Sequence, residues 1–213
     1  REGPRPMTVA QQERAFLVTT MREAGPEQPT LCGDWTTRDL AAHLVVREGR
    51  LDTAPGILIP ALADYTARVQ NQVAAETDWN VLLDKIASGP PTLSPFKLLD
   101  SLVNVAEMFI HHEDVRRAVK GWEPRELDAG TTAALARQVP LMARMALSKV
   151  PSHVSLRTPE GKTLATVGRG PTVVVTGDPG ELLMFASGRN EARLTFTGDD
   201  DVVRAVREGR SGL

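Results

Sequence analysis

Cysteine is almost missing from this 213-residue chain. The single copy, Cys32, excludes an internal disulfide and any zinc knuckle built from several cysteines. Aromatic residues are few (Phe 5, Trp 3, Tyr 1), so Leu, Val, Ala and Met must fill most of the core. The longest stretches without a charge run to about eleven residues, far below the roughly 20 that a membrane-spanning helix needs. Neither sign of charge dominates: 25 basic residues face 27 acidic ones, and residues 151–213 hold 8 of each. No Lys/Arg run is interleaved with aromatics, which disfavours nucleic-acid binding by bulk electrostatics. A Gly-rich phosphate loop, a Gly-x-Ser-x-Gly elbow and a His-Glu-x-x-His pair are all absent, leaving nucleotide chemistry, serine hydrolysis and zinc-protease chemistry without support. Arg1 to Pro6 is too polar for a secretion signal, and Met7 reads as a candidate native start. The expectation is a cytoplasmic, soluble, globular protein with no membrane or nucleic-acid partner.

What is present is an ordinary globular composition, 41% hydrophobic and 24% charged. Thr8 and Gln11 form a capping box ahead of a helix carrying Phe16, Leu17 and Met21 and stopped at Gly25-Pro26. Thr36 or Thr37 caps a second helix running to about Gly49. Helical patterns follow at 57–76 and 80–87, then a proline-rich connector at 89–95. The longest helix covers Phe96 to Val119, and another spans roughly 129–149, with Pro140 as its expected kink. Beyond Pro151 the pattern alternates: strands are expected at 154–158, 163–167, 173–175 and 193–197, with short helices starting after Asp178 and Asp199. The chain therefore predicts an α+β protein, with a four-helix-type bundle over residues 7–150 and a small α+β domain over 151–213.

Chemistry concentrates on the longest helix. Glu107 and His111 stand four residues apart, side by side on one face, and Asp114 continues that face. Such a pair can chelate one cation. A competing reading is a solvated polar stripe, since Lys97, Asp100, Ser101 and Asn104 lead straight into it. Catalytic zinc-type sites use three protein ligands, so a third must come from elsewhere. His43 is the best candidate, on a helix otherwise apolar around it, although a satisfied core histidine fits the same position. Asp39, one turn earlier, is placed either to orient His43 or to serve as a helix-start acid. His112 points about 100° from His111 and reads as a supporting or surface residue. Cys32 has no nucleophile signature nearby and reads as a small buried hydrophobe.

Two segments resemble a known family. Gly33-Asp34-Trp35-Thr36-Thr37-Arg38-Asp39-Leu40-Ala41-Ala42-His43-Leu44 resembles the Gly-Trp-Thr-x-x-Asp-x-x-x-His-Leu segment of mycothiol-dependent maleylpyruvate isomerase relatives, in the DinB-like metal-binding superfamily. Glu107-x-x-x-His111-x-x-Asp114 resembles that family's second motif. Leu182-Leu183, Gly188-Arg189 and Thr197-Gly198-Asp199 are similar to its small C-terminal domain, which resembles sterol carrier proteins. The resemblance implies a bundle binding a divalent metal through His43, Glu107 and His111. Zinc is the first choice, though nickel, iron and manganese suit the same ligands. It also implies mycothiol as cosubstrate, a small electrophilic substrate and thiol-assisted isomerisation or thiol transfer. Arg189 then corresponds to an arginine that, in the isomerases, reaches the cleft from the small domain; a helix-end arginine bonding carbonyls is the alternative. A homodimer is the assembly considered. Where the isomerases generally carry glycine after the second histidine, this chain has His112 and Glu113, which implies a bulkier, more charged wall and a sister group of the isomerases. Two other classes stay open: a non-catalytic metal- or small-ligand-binding module, and a metal-dependent hydrolase.

Overall fold

The computed structural model describes residues 3–49, 59–90 and 95–211, with the side chains of 95–103 excepted. The described residues form two compact units, Arg1–Trp122 and Glu123–Leu213.

The first unit is helical. α1 (Val9–Ala24) begins with the expected capping box, Gln11 N–H donating to Thr8 Oγ1 and the Gln11 side chain accepting from the Thr8 amide. α2 (Thr37–Gly49) follows a loop, then comes a 3-10 turn (Pro60–Leu62), α3 (Ala63–Glu76), α4 (Trp79–Ser88) and α5 (Pro95–Arg116). The expected connector at 89–95 lies partly outside the described residues, as does the start of the helix expected from 57. α5 stops three residues before the predicted Val119, and Gly121, at φ +83°, completes the exit. Leu17, Met21, Leu40, Leu44, Leu82 and Met108 meet in one core and are each fully buried; sequestering side chains of this size is worth roughly 1.5–3 kcal/mol apiece.

The second unit carries α6 (Ala129–Leu147), β1 (His153–Arg157), β2 (Thr163–Val167), β3 (Thr172–Thr176), α7 (Pro179–Ala186), β4 (Thr195–Thr197) and α8 (Asp200–Gly209). The strands form a mixed sheet in the order β2-β1-β3-β4; β1 and β3 run parallel, and the other pairs are antiparallel. The architecture is thus α+β, a helical unit followed by a smaller α+β one. The units meet at 122/123, where the sequence suggested 150/151. The reason lies in α6, whose buried Leu135, Val139, Ala143 and Leu147 form an apolar stripe, and which packs on α7 and β2. Its helical period alone does not tell which unit that stripe belongs to. Among the described residues, no helix is long and apolar enough to cross a membrane.

One buried ion pair fixes α1 to α2 and α4. Arg14 donates from Nη1 and Nη2 to the two carboxylate oxygens of Glu48, both at 2.7 Å, and from Nη1 to the Ile86 carbonyl at 3.0 Å. Both side chains are under a tenth exposed. Removing one partner breaks this bidentate pair while the other charge stays in the interior, a loss of roughly 3–5 kcal/mol. Arg14→Met is therefore expected to lower the unfolding free energy by about 3 kcal/mol, read as a shift of the urea midpoint; a shift equivalent to under about 1 kcal/mol would show that water reaches Glu48.

Candidate metal centre

The centre is assembled inside the first unit from α2, α3, α5 and the loop before α2. That loop turns back at Gly33, whose φ of +59° lies in the left-handed region that glycine enters without strain. The turn is closed by Thr30 N–H to Trp35 O (3.2 Å) and Trp35 N–H to Cys32 O (3.0 Å). Leu31 N–H then donates to the Asp114 carbonyl at 3.0 Å, tying the loop to the end of α5. Arg38, in the first turn of α2, donates to the Thr77 carbonyl at 3.1 Å and lies 5.9 Å from the Trp79 ring, which holds α2 against the α3–α4 corner.

His43 projects from α2 between two rings, Trp35 at 5.1 Å and His111 at 5.5 Å between centroids. Its Nδ1 meets Gln70 Oε1 of α3 at 3.1 Å. On α5, His111 Nε2 lies 3.1 Å from Glu107 Oε2 and its Nδ1 lies 3.0 Å from Asp114 Oδ2. Arg47 Nη2 stands 3.7 Å from Glu107 Oε1. Cys32 Sγ donates to the same Asp114 Oδ2 at 3.1 Å. Among the described residues, Cys32, His111 and Asp114 are the set of three whose ligand-type atoms all lie within 4.8 Å of one another.

The two histidines differ in charge. Burial, then the neighbouring positive His111, pushes His43 down to about 4, against the Gln70 hydrogen bond. Burial also opposes charge on His111, but hydrogen bonds with Asp114, Cys32 and Glu107 and the Glu107 charge raise it well above its ordinary value. Burial pushes the Glu107 carboxyl up, yet the bond to His111 and the charges of His111 and Arg47 outweigh it and hold it at about 2.

Several expectations meet the geometry here. From Asn104 on, the α5 face is not a solvated stripe: Asn104, His111 and Asp114 are buried, Asp114 fully, and Glu107 partly so, while the side chains of Lys97, Asp100 and Ser101 lie outside the described residues. Asp39 does not orient His43. Its Oδ2 accepts from the Thr36 amide and hydroxyl, both at 3.0 Å, because a first-turn acid is drawn to the unpaired amides of its own helix. Gln70 fills the orienting role instead, and nothing local in the sequence marks it, since it arrives from a separate helix. His112 is only 3% exposed and faces α1, where its Nε2 meets Thr20 Oγ1 at 2.7 Å and its Nδ1 lies 3.5 Å from Glu13. Cys32, read as a small hydrophobe, does pack at the edge of the core, but its sulfur is spent on Asp114. Arg189 belongs to the second unit. It is buried, and its Nη1 donates to the Ser187 carbonyl at the C-terminus of α7 at 2.6 Å.

The donor types of His43, Glu107 and His111 suit a divalent cation, but their ligand atoms do not all lie within 4.8 Å of one another, as those of Cys32, His111 and Asp114 do. Each histidine has its Nδ1 engaged by an oxygen acceptor, Gln70 for His43 and Asp114 for His111, an arrangement that fixes the ring and leaves Nε2 for a metal. Glu107 supplies a carboxylate at the Nε2 side of His111.

The chain is similar in structure to a histidine-to-alanine mutant of mycothiol-dependent maleylpyruvate isomerase, with a TM-score of 0.58 and 11% identity over 90% of this chain and 91% of that one. A second structure of mycothiol-dependent maleylpyruvate isomerase aligns over the same shares at 14% identity and a TM-score of 0.47. No family model matches the sequence, and no curated protein matches it. At 11% identity the first likeness establishes a shared fold.

The depressed His43 value sets a sign for acid stability of the metal-free protein. Below pH 6.5 the unfolded chain protonates this histidine, while the folded one resists until about pH 4, so stability falls as pH drops through that window. Glu107 is largely ionised in both states above about pH 5, while folded His111 keeps its proton and so offsets the His43 slope near pH 6.5, until the unfolded chain protonates it as well. The slope assigned to His43 is up to about 1.4 kcal/mol per pH unit. His43→Gln should flatten the urea-midpoint profile between about pH 6 and 5; an unchanged slope would assign it to other groups.

Proposed function

We propose that this chain is a divalent-metal-dependent enzyme that uses a small thiol, mycothiol, for thiol-assisted isomerisation or thiol transfer to a small electrophilic substrate. The observation that carries the reading is the convergence of His43 and His111, each pinned at Nδ1, with Glu107 at 3.1 Å from His111 Nε2. His43, Glu107 and His111 would hold the ion, zinc by first preference. A bound divalent cation would lower the pKa of a coordinated thiol and keep it as thiolate at neutral pH.

The chain's own residues supply the rest. Gln70 and Asp114 fix the ring planes of the two histidines, and the ion would draw the three ligand tips together. Arg47 beside Glu107 and the protonated His111 keep the carboxyl ionised before uptake. His111 must shed its Nε2 proton to ligate. Trp35 packs its ring against His43 at 5.1 Å between centroids and gives that side of the site an apolar wall. Arg189 is assigned the clamp for a substrate carboxylate on the family resemblance alone. On that assignment Arg189→Lys raises KM for a carboxylate-bearing substrate severalfold and leaves metal uptake intact, because a lysine cannot form the planar two-point contact; equal kinetics would remove Arg189 from the reading.

The decisive experiment is cobalt substitution followed by titration with mycothiol. The expected result is one cobalt per chain, a visible spectrum that changes on adding the thiol, and loss of uptake in both His111→Ala and His43→Ala. Full metal occupancy in His111→Ala would refute the ligand assignment. A spectrum indifferent to mycothiol would leave a metal-binding module without thiol chemistry.

A further inference from the structure

His111 has two edges, and in the function proposed above only one of them would ligate the ion while the other orients the ring. The Nε2 edge faces Glu107. The Nδ1 edge faces a second group of donors: Asp114 Oδ2 at 3.0 Å, with Cys32 Sγ 3.1 Å from that same oxygen. All three ligand-type atoms lie within 4.8 Å of one another, a spread that one ion bonded to each can span. Both the thiol and the imidazole hydrogen-bond to that one Asp114 oxygen. Their positions are set by backbone as well as side chain. The Asp114 carbonyl accepts from Leu31 N–H at 3.0 Å, and the amide of Cys32 donates to Thr30 Oγ1 at 3.1 Å, so loop and helix are joined at the group itself. Asp114 is fully buried and His111 nearly so, and Cys32 is half-buried.

We propose that Cys32, Asp114 and His111 Nδ1 form a second cation position, selective for soft, thiophilic divalent ions such as cadmium or zinc. One thiolate, one carboxylate and one imidazole make a soft-leaning donor set, whereas the two imidazoles and carboxylate of His43, Glu107 and His111 are borderline. Binding displaces two protons, from Cys32 Sγ and His111 Nδ1, and leaves a fourth coordination place for water or a small ligand. A neutral imidazole offers one lone pair, so His111 serves one edge at a time. The two positions therefore compete, and the ion's softness decides between them. This inference goes beyond the function proposed above and shares with it His111, a ligand in both, and Asp114, which there orients the ring and here binds the ion.

The test is cadmium titration of the metal-free protein with no added thiol. The expected result is one cadmium per chain with a sulfur-to-cadmium charge-transfer absorption in the ultraviolet. That absorption should persist in His43→Ala and vanish in Cys32→Ser, with cadmium affinity falling at least tenfold in the latter. Alkylation of Cys32 in the wild-type protein, followed by intact mass, gives a readout that needs no variant: cadmium should slow it at least tenfold. Cadmium bound without the sulfur absorption, or without protection of Cys32, overturns the proposal and leaves the His43 set standing. Absorption lost in His43→Ala as well as in Cys32→Ser overturns the idea of two separate positions. Cobalt failing to bind while cadmium binds through Cys32 would instead overturn the proposed function.

Discussion

The arrangement around His111 depends on one buried carboxylate. Asp114 is fully sequestered, and a bare charge in such a place is tolerable only if several donors surround it. It receives the imidazole of His111 and the thiol of Cys32 on one oxygen, while its backbone carbonyl receives the amide of Leu31. The same residue thus fixes the ring plane of His111, docks the loop that carries Cys32 and Trp35, and through that loop sets where α2 begins. His43 inherits its position from this chain of contacts rather than from any preference of its own helix.

Charge within the centre is partitioned by environment. Two histidines with rings 5.5 Å apart cannot both be cationic cheaply, and burial makes the conflict sharper. The one with carboxylate partners takes the proton and the one with an amide partner gives it up. The result is a neutral imidazole facing an imidazolium and a carboxylate.

Much of this was legible in the sequence where the signal is local. The capping box at Thr8, the i, i+4 pair on α5 and the strands after Pro151 all follow from short-range rules, and the structure has each. Features that depend on which helix meets which were not. Gln70 looks like any surface glutamine of α3 until it is set against His43. The polar run from Asn104 to Asp114 has the spacing of a wet face and lies inside the protein, because α1, α2 and the Pro26–Trp35 loop close over it. Cys32 lacked the flanking pattern of a nucleophile, and its partner stands 82 residues away. The partition at 122/123 escaped for the same reason, since an apolar helical stripe does not name its partner.

The allegiance of α6 has a practical side for anyone dissecting the chain. A cut after residue 150 would remove from the sheet the helix that shields it and leave Leu135, Val139 and Leu147 without the surfaces they pack on. Fragments divided after Trp122 keep each apolar stripe with its own cover, and are the ones to make when the helical half is wanted for spectroscopy without its neighbour.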